Sequence, residues 1–308
     1  MTILITGATG LVGKELVQTL LTKKHKVHIV SRDSKRAQSV FPQSNLLKFF
    51  PWDYHKDNFP IEALQDVDKI VHLMGENIAE GRWNNEQKAE ILNSRVESLK
   101  QIYKILEKNP DYKIKKLIST SAIGIYGQDK TQKFDEKSTT QQVGFLPFVC
   151  REWEKMAYKF QKFGTEISIL RVGIVLSKSG GALKKMLLPF KLGMGGVLGS
   201  GQQFMSWIHI KDLVNLYIMA IEENKYGGII NAIAPQVVTN KEFTKTLSKV
   251  INRPAIIPVP SIVLKTTLGE MSEILLQGQW VTPQKAIDLK YQYEFENLEP
   301  ALSNLINK

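Results

Sequence analysis

The opening stretch ILITGATGLVGKELVQTLL constrains what the rest of the chain can fold into. A β-rich run enters Gly7, Gly10 and Gly13, and an amphipathic helical pattern starts at once. Glycines permit the tight turn and let backbone approach a pyrophosphate, whose charge is then held by the helix N-terminus. Leu11 and Val12, between the second and third glycines, belong to the same binding turn. The spacing Gly-x-x-Gly-x-x-Gly is weak alone, but a strand before it, a helix after it and a second strand, KVHIVS, supply the context of a nucleotide site. The bland alternative is a glycine-rich strand-to-helix turn that binds nothing.

Downstream the same rhythm continues. The runs VHIVS, LLKFF, KIVHLM, KLISTS and ISILRV alternate with helical patterns, of which NEQKAEILNSRVESLKQIYKILEK sets Ile91, Val96, Leu99, Ile102, Tyr103 and Leu106 near one face. Alternation of this kind implies a doubly wound parallel Rossmann sheet in an α/β fold, with helices on both sides. At 308 residues and 43% hydrophobic, the chain can bury a substantial core. Residues 1–234 are expected to form mostly the nucleotide-binding domain, with a glycine-rich excursion over 173–206 and a helix over about 212–224. The tail, 235–308, carries Pro254, Pro258, Pro260 and Pro283 between helical runs and reads as a smaller C-terminal α/β lobe.

A carboxylate at the end of the second strand would hold a ribose 2′-hydroxyl and repel a 2′-phosphate. Here Ser31 and Arg32 stand there, with Lys35 and Arg36 behind, which favours NADP(H) over NAD(H). Asp33 weighs the other way if its side chain turns inward, and Arg32 as a plain surface residue is the alternative. The net charge of +11 suits acidic ligands, but the lysines lie in short clusters without an RNA-reading aromatic motif, so no nucleic-acid partner is expected. No apolar run reaches about 18 residues, and the N-terminus reads as a strand rather than a signal peptide. A cytoplasmic protein with a small-molecule substrate and no membrane partner is the expectation. With one cysteine, Cys150, a disulfide framework and a cysteine zinc cluster are excluded, and no metal site is expected.

Taken in order, TGATGLVG, PWD, HLMGENI, NSRVES, STSAIGIYG, RVGIVL, the run GGALKKMLLPFKLGMGGVLGSGQQFMSWIHIKD and the tail motif GEMSEILLQGQWVTP resemble the atypical, epimerase-like group of extended short-chain dehydrogenases/reductases over nearly the whole chain. The resemblance implies that Trp52 and Asp53 lie near the adenine, that Leu73, Met74 and Gly75 pass the ribose, and that Gly173 and Ile174 approach the nicotinamide. It also implies a catalytic serine, tyrosine, lysine and asparagine. The serine is present as Ser121, with Ser119 beside it on the same strand. In GFLPFVCREWE, however, Leu146 stands for the tyrosine and Cys150 for the lysine, and Arg95 stands where asparagine is usual.

Leucine exchanges no proton, so the usual mechanism is closed. Cys150 is either a small buried hydrophobe or an acid or nucleophile whose thiolate is stabilised by Arg95, Arg151 or the cofactor ring. Substrate contacts are expected from Glu76 and Trp83 after the fourth strand and from Gln203, Trp207 and His209 after the glycine-rich loop, itself flexible or wrapped round a phosphate. His209 is either a proton donor or a structural residue preceding a helix capped by Asp212. Two functions stay open: an NADP(H)-dependent oxidoreductase or epimerase acting on a carbonyl or alcohol, nucleotide-linked or phosphorylated substrates included, and an NADP(H)-responsive regulatory or binding protein without turnover.

Overall fold

The computed structural model describes residues 1–129 and 132–307. Its centre is a seven-stranded sheet. The strands are β1 (Thr2–Thr6), β2 (Lys26–Ser31), β3 (Leu47–Pro51), β4 (Lys69–His72), β5 (Lys116–Ala122), β6 (Glu166–Val172) and β7 (Gly228–Ala232). They lie in the order β7-β6-β5-β4-β1-β2-β3, and every neighbouring pair is parallel. Chain order reverses beside β1, which pairs with β2 on one side and β4 on the other. Open α/β sheets bind ligands at such a switch point, outside the strand carboxyl ends.

Both faces of the sheet are covered, which is why β1, TILIT, is buried at every residue. Ile3 and Ile5 point into one core with Leu16 and Leu20 of α1 (Leu11–Thr22). Leu4 points into the other with Leu99, Ile102 and Trp153. The helix α3 (Asn85–Lys108) buries Ile91, Leu99, Ile102 and Leu106, while Val96 and Tyr103 are half-buried at the margin of that stripe. Asn84 caps α3 by accepting the Gln87 N–H at 2.8 Å. On the same side of the sheet lies α4 (Phe145–Tyr158).

Beyond β6 the chain makes short pairs that stitch its tail to the sheet domain. Phe204–Met205 pairs with Val238–Thr239, and Lys133–Phe134 pairs with Trp280–Val281. The C-terminal lobe is helical, and the core does not stop at residue 234. Phe243, Leu247, Ala286, Leu302 and Leu305 share one buried cluster with Ile3 and Leu16. The glycine-rich loop differs from a phosphate wrap. A Cβ on Gly196 would lie 1.6 Å from the carbonyl oxygen of Ile257, and one on Gly195 would meet the Phe190 ring, so these glycines serve close packing. Among the described residues no helix is long and apolar enough to cross a membrane.

The first turn is equally tight. Gly7 has φ +69°, and a Cβ there would lie 2.8 Å from the backbone of Leu73. A Cβ on Gly13 would meet the Gly7 carbonyl oxygen at 2.4 Å, so the helix can leave the strand at this angle only without side chains. Gly13→Ala is expected to lower the unfolding free energy by about 1–3 kcal/mol, read from urea denaturation. An unchanged midpoint would show that the turn has slack.

Candidate functional site

The helix α1 starts at Gly10 with no side chain capping it, so the backbone N–H groups of its first turn face outward from the strand end. Round this point is a cleft of about 270 Å³ lined by Gly7, Gly10, Ser31, Arg32, Leu73, Met74, Gly75 and Glu76. The sequence named all eight. Asp33 does not turn inward: its carboxylate caps the helix α2 (Ser34–Val40) by accepting the Arg36 N–H at 2.8 Å. Arg32 therefore stands exposed at the cleft without that carboxylate facing it.

Trp52 and Asp53 are not brought to the cleft. Trp52 is buried and its indole N–H donates to Gln101 at 2.9 Å, while Asp53 caps the turn Tyr54–Lys56 and bonds His55. Tyr54 and Glu90 line the cleft in their place, the phenol donating to the carboxylate. Burial and this carboxylate push the phenol's pKa up, so it stays protonated. No local pattern marks these two; they meet because α3 packs beside the end of β3. Leu11 and Val12 pack partly buried on the core, Leu11 against Gly180 and Gly181.

A second cavity, of about 530 Å³, opens beside the first. Gly75 links them: it lines the cleft, and a Cβ on it would strike the Arg95 guanidinium, which lines the cavity, at 2.8 Å. Arg95 donates to the carbonyls of Ile91 at 2.7 Å and Glu76 at 3.0 Å, and its guanidinium lies 5.1 Å from the Trp153 ring centre. Leu146, Cys150, Gly173 and Ile174 line this same cavity. The four meet because α4 turns its Leu146–Cys150 face toward the end of β6.

Cys150 is 5% exposed, and its thiol is pushed up to about 11. Burial is the main cause, and the Glu154 carboxylate adds to it, while Arg95 pulls the other way. At neutral pH the group is a thiol and not a thiolate. Behind it lies a buried ion pair in which Arg171 meets Glu154 through two bonds of 2.9 and 2.8 Å.

The structure differs from the sequence expectation at Ser121. Its side chain is buried, and its hydroxyl donates to Glu154 at 2.7 Å instead of facing the cavity. Ser119 is also fully buried, bonded to the Thr120 carbonyl. None of the five expected substrate contacts lines the cavity: Glu76 lies in the cleft, and Trp83, Gln203, Trp207 and His209 are held elsewhere. Gln203 donates to the carbonyls of Leu198 and Leu275, which ties the glycine-rich loop to the tail. Trp207 is fully buried in the core. His209 stacks on Phe295 with ring centres 3.9 Å apart and caps the helix α5 (Ile210–Glu222), so the cap is His209 and not Asp212. Burial and Lys211 lower the His209 pKa to about 4, which leaves it neutral at pH 7. Asp212 instead accepts the backbone N–H groups of Glu294 and Phe295. Trp83 supports the rim from below, against Phe145, with its N–H on the Ile78 carbonyl. Among the described residues no group of three His, Cys, Asp or Glu side chains is placed to hold a metal ion.

Residues 3–232 match the NAD dependent epimerase/dehydratase family, and residues 259–305 match a domain of unknown function, DUF1731. A chloroplastic homolog of epimerase family protein SDR39U1 from Arabidopsis thaliana is 37% identical, over 98% of this chain and 86% of that protein. The crystal structure of human epimerase family protein SDR39U1 with NADPH superposes with a TM-score of 0.86 at 32% identity, covering 100% of both chains. A UDP-glucuronic acid 4-epimerase from Bacillus cereus, at 19% identity and a TM-score of 0.82 over 100% of this chain and 98% of its own, shares the fold.

Because Cys150 is the chain's one cysteine, its titration can be read directly. Alkylation by iodoacetamide should be slow at neutral pH and accelerate about tenfold per pH unit toward the raised pKa, since only the thiolate reacts. A rate that levels off near the ordinary thiol value of about 8.5 would show that the pocket does not perturb it.

Proposed function

Since the chain belongs to the NAD dependent epimerase/dehydratase family, we propose that it binds NADPH across the cleft and reduces a carbonyl compound in the adjoining cavity. The cofactor half of this reading rests on the uncapped start of α1, on Gly7 and Gly75, and on Ser31 and Arg32. A pyrophosphate fits the free N–H groups of the first helical turn. A 2′-phosphate fits a hydroxyl and a guanidinium whose neighbouring Asp33 carboxylate is turned away into the α2 cap. Human SDR39U1, crystallised with NADPH, supports the same choice.

The observation that carries the direction of reaction is Cys150, held as a thiol on the wall of the cavity that Gly173 and Ile174 also line. When bound, NADPH supplies a hydride to the carbonyl carbon. Cys150 Sγ–H then gives its proton to the carbonyl oxygen, forming the alcohol, and the thiolate left behind recovers a proton from solvent. A thiol near pKa 11 is a far stronger acid than an alcohol, so donation is downhill. The same raised pKa leaves almost no thiolate at neutral pH, so little of the protein carries the base that oxidation of an alcohol would need. Arg95 favours the transient thiolate by its charge and offers a cation for the carbonyl oxygen to face. Ser121 takes no part, because its proton is committed to Glu154.

A second reading, an NADPH-responsive protein without turnover, draws support from Leu146, an apolar side chain at the place where the family's proton donor is usual. The two separate on Cys150. Under the reductase reading, Cys150→Ala should retain the NADPH affinity of the unmodified protein and lose about 10²-fold or more in NADPH consumption across a panel of carbonyl compounds. Full activity in both Cys150→Ala and Cys150→Ser would make the thiol packing only, and no consumption by the unmodified protein would favour the second reading.

The cofactor choice is tested separately. NADPH should bind more tightly than NADH, and Arg32→Ala should erode the difference by about 1.5–3 kcal/mol, measured by fluorescence titration. Equal affinities in the unmodified protein would overturn the assignment of Arg32.

A further inference from the structure

The cavity beside the cleft carries almost no charge. Among its described lining residues the permanently or normally charged side chains are Arg95 and Glu273. Arg95 lies at the floor, with two of its N–H groups spent on the Ile91 and Glu76 carbonyls and its plane against Trp153. Glu273 is exposed at the mouth, where it repels anions. The remaining wall is apolar, with Leu146, Val149, Ile174 and Phe204 among its members. Its polar groups are chiefly the uncharged amides of Gln128, Gln141, Gln277 and Gln279.

A nucleoside diphosphate brings two negative charges that must be desolvated on entry. Buried charge is tolerated where it is paired, and this lining offers a single cation, Arg95, for two phosphate charges, beside one carboxylate of the wrong sign. Apolar walls hold hydrocarbon by excluding water, and neutral amides can satisfy a carbonyl or hydroxyl without any charge. We infer, resting on the reductase reading, that the substrate is a neutral, mainly apolar ketone or aldehyde, and that nucleoside diphosphate sugars are excluded. The selecting residues Glu273, Ile274, Gln277 and Gln279 all fall in the segment matching the domain of unknown function, which gives that segment a role: it forms the mouth that admits uncharged substrates.

The test is calorimetry on the full chain saturated with NADPH, using benzylacetone as the neutral ketone and UDP-glucose as the diphosphate. Benzylacetone should bind saturably and UDP-glucose should give no binding heat. Ile274→Lys and Gln277→Lys each set a cation in the mouth, and each should weaken benzylacetone by about tenfold or more without altering NADPH affinity. Binding of UDP-glucose to the unmodified protein overturns the inference. So does an absence of benzylacetone binding, or benzylacetone binding that neither variant weakens. Because heat reports occupancy whether or not hydride moves, benzylacetone that binds without consuming NADPH overturns the reductase reading and leaves the selectivity of the cavity standing.

Discussion

The buried pair between Arg171 on β6 and Glu154 on α4 is the contact on which the cavity end of the molecule depends. Removing one partner of such a pair strands a charge in a medium that cannot solvate it, at a cost of about 3–5 kcal/mol. Here the charges are also tied into a chain of hydrogen bonds. Arg171 reaches Tyr126 at 2.9 Å, Tyr126 reaches Asn231 at 2.8 Å, and Asn231 reaches the Thr282 carbonyl at 3.0 Å. One network therefore fastens α4, two strands of the sheet and the C-terminal lobe to one another.

The chemistry of the cavity follows from that pair. Glu154 accepts the Ser121 hydroxyl's hydrogen bond, which withdraws the serine from any role toward a ligand, and its charge helps keep Cys150 protonated. His72 shows the same control on the neighbouring strand. Burial and Arg95 hold its pKa down to about 3, and the neutral ring accepts from Trp153 and bonds Ser98 at 2.8 Å. Trp153 thus joins a silent histidine on one side to the Arg95 guanidinium on the other. The protonation states at the cavity wall are set from behind it.

The two ends of the site are built by different means. The cleft at the start of α1 is mainly backbone: glycines at positions 7 and 13 bring chain segments closer than any Cβ allows, and Gly75 makes room for the Arg95 guanidinium. The cavity is mainly side chains, drawn from α3, α4, the end of β6 and the tail. Backbone sites leave a signature in local sequence, because glycine spacing and strand-helix alternation act over a few residues. Side-chain sites assembled from distant segments leave little.

That difference divides what could be read in the sequence from what could not. The parallel sheet, the glycine turn and Arg32 at the second strand's end were legible, since each follows from short-range periodicity or from the steric freedom of glycine. The resemblance set Leu146 and Cys150 in the places of the tyrosine and the lysine, and the helix α4 puts them one turn apart on a shared face. Tertiary packing alone decided which way the other candidates point. Ser121 turned to a buried carboxylate 33 residues away, His209 turned to Phe295, and Trp207 turned into the core. Tyr54 and Glu90 entered the cleft unannounced, 36 residues apart in the chain. For Ser121 and for Tyr54 with Glu90 the deciding term is the cost of leaving a polar group unpaired away from water, whereas Trp207 and His209 are placed by packing, in the core and on the Phe295 ring, and in every case the partner comes from a segment that only folding brings near.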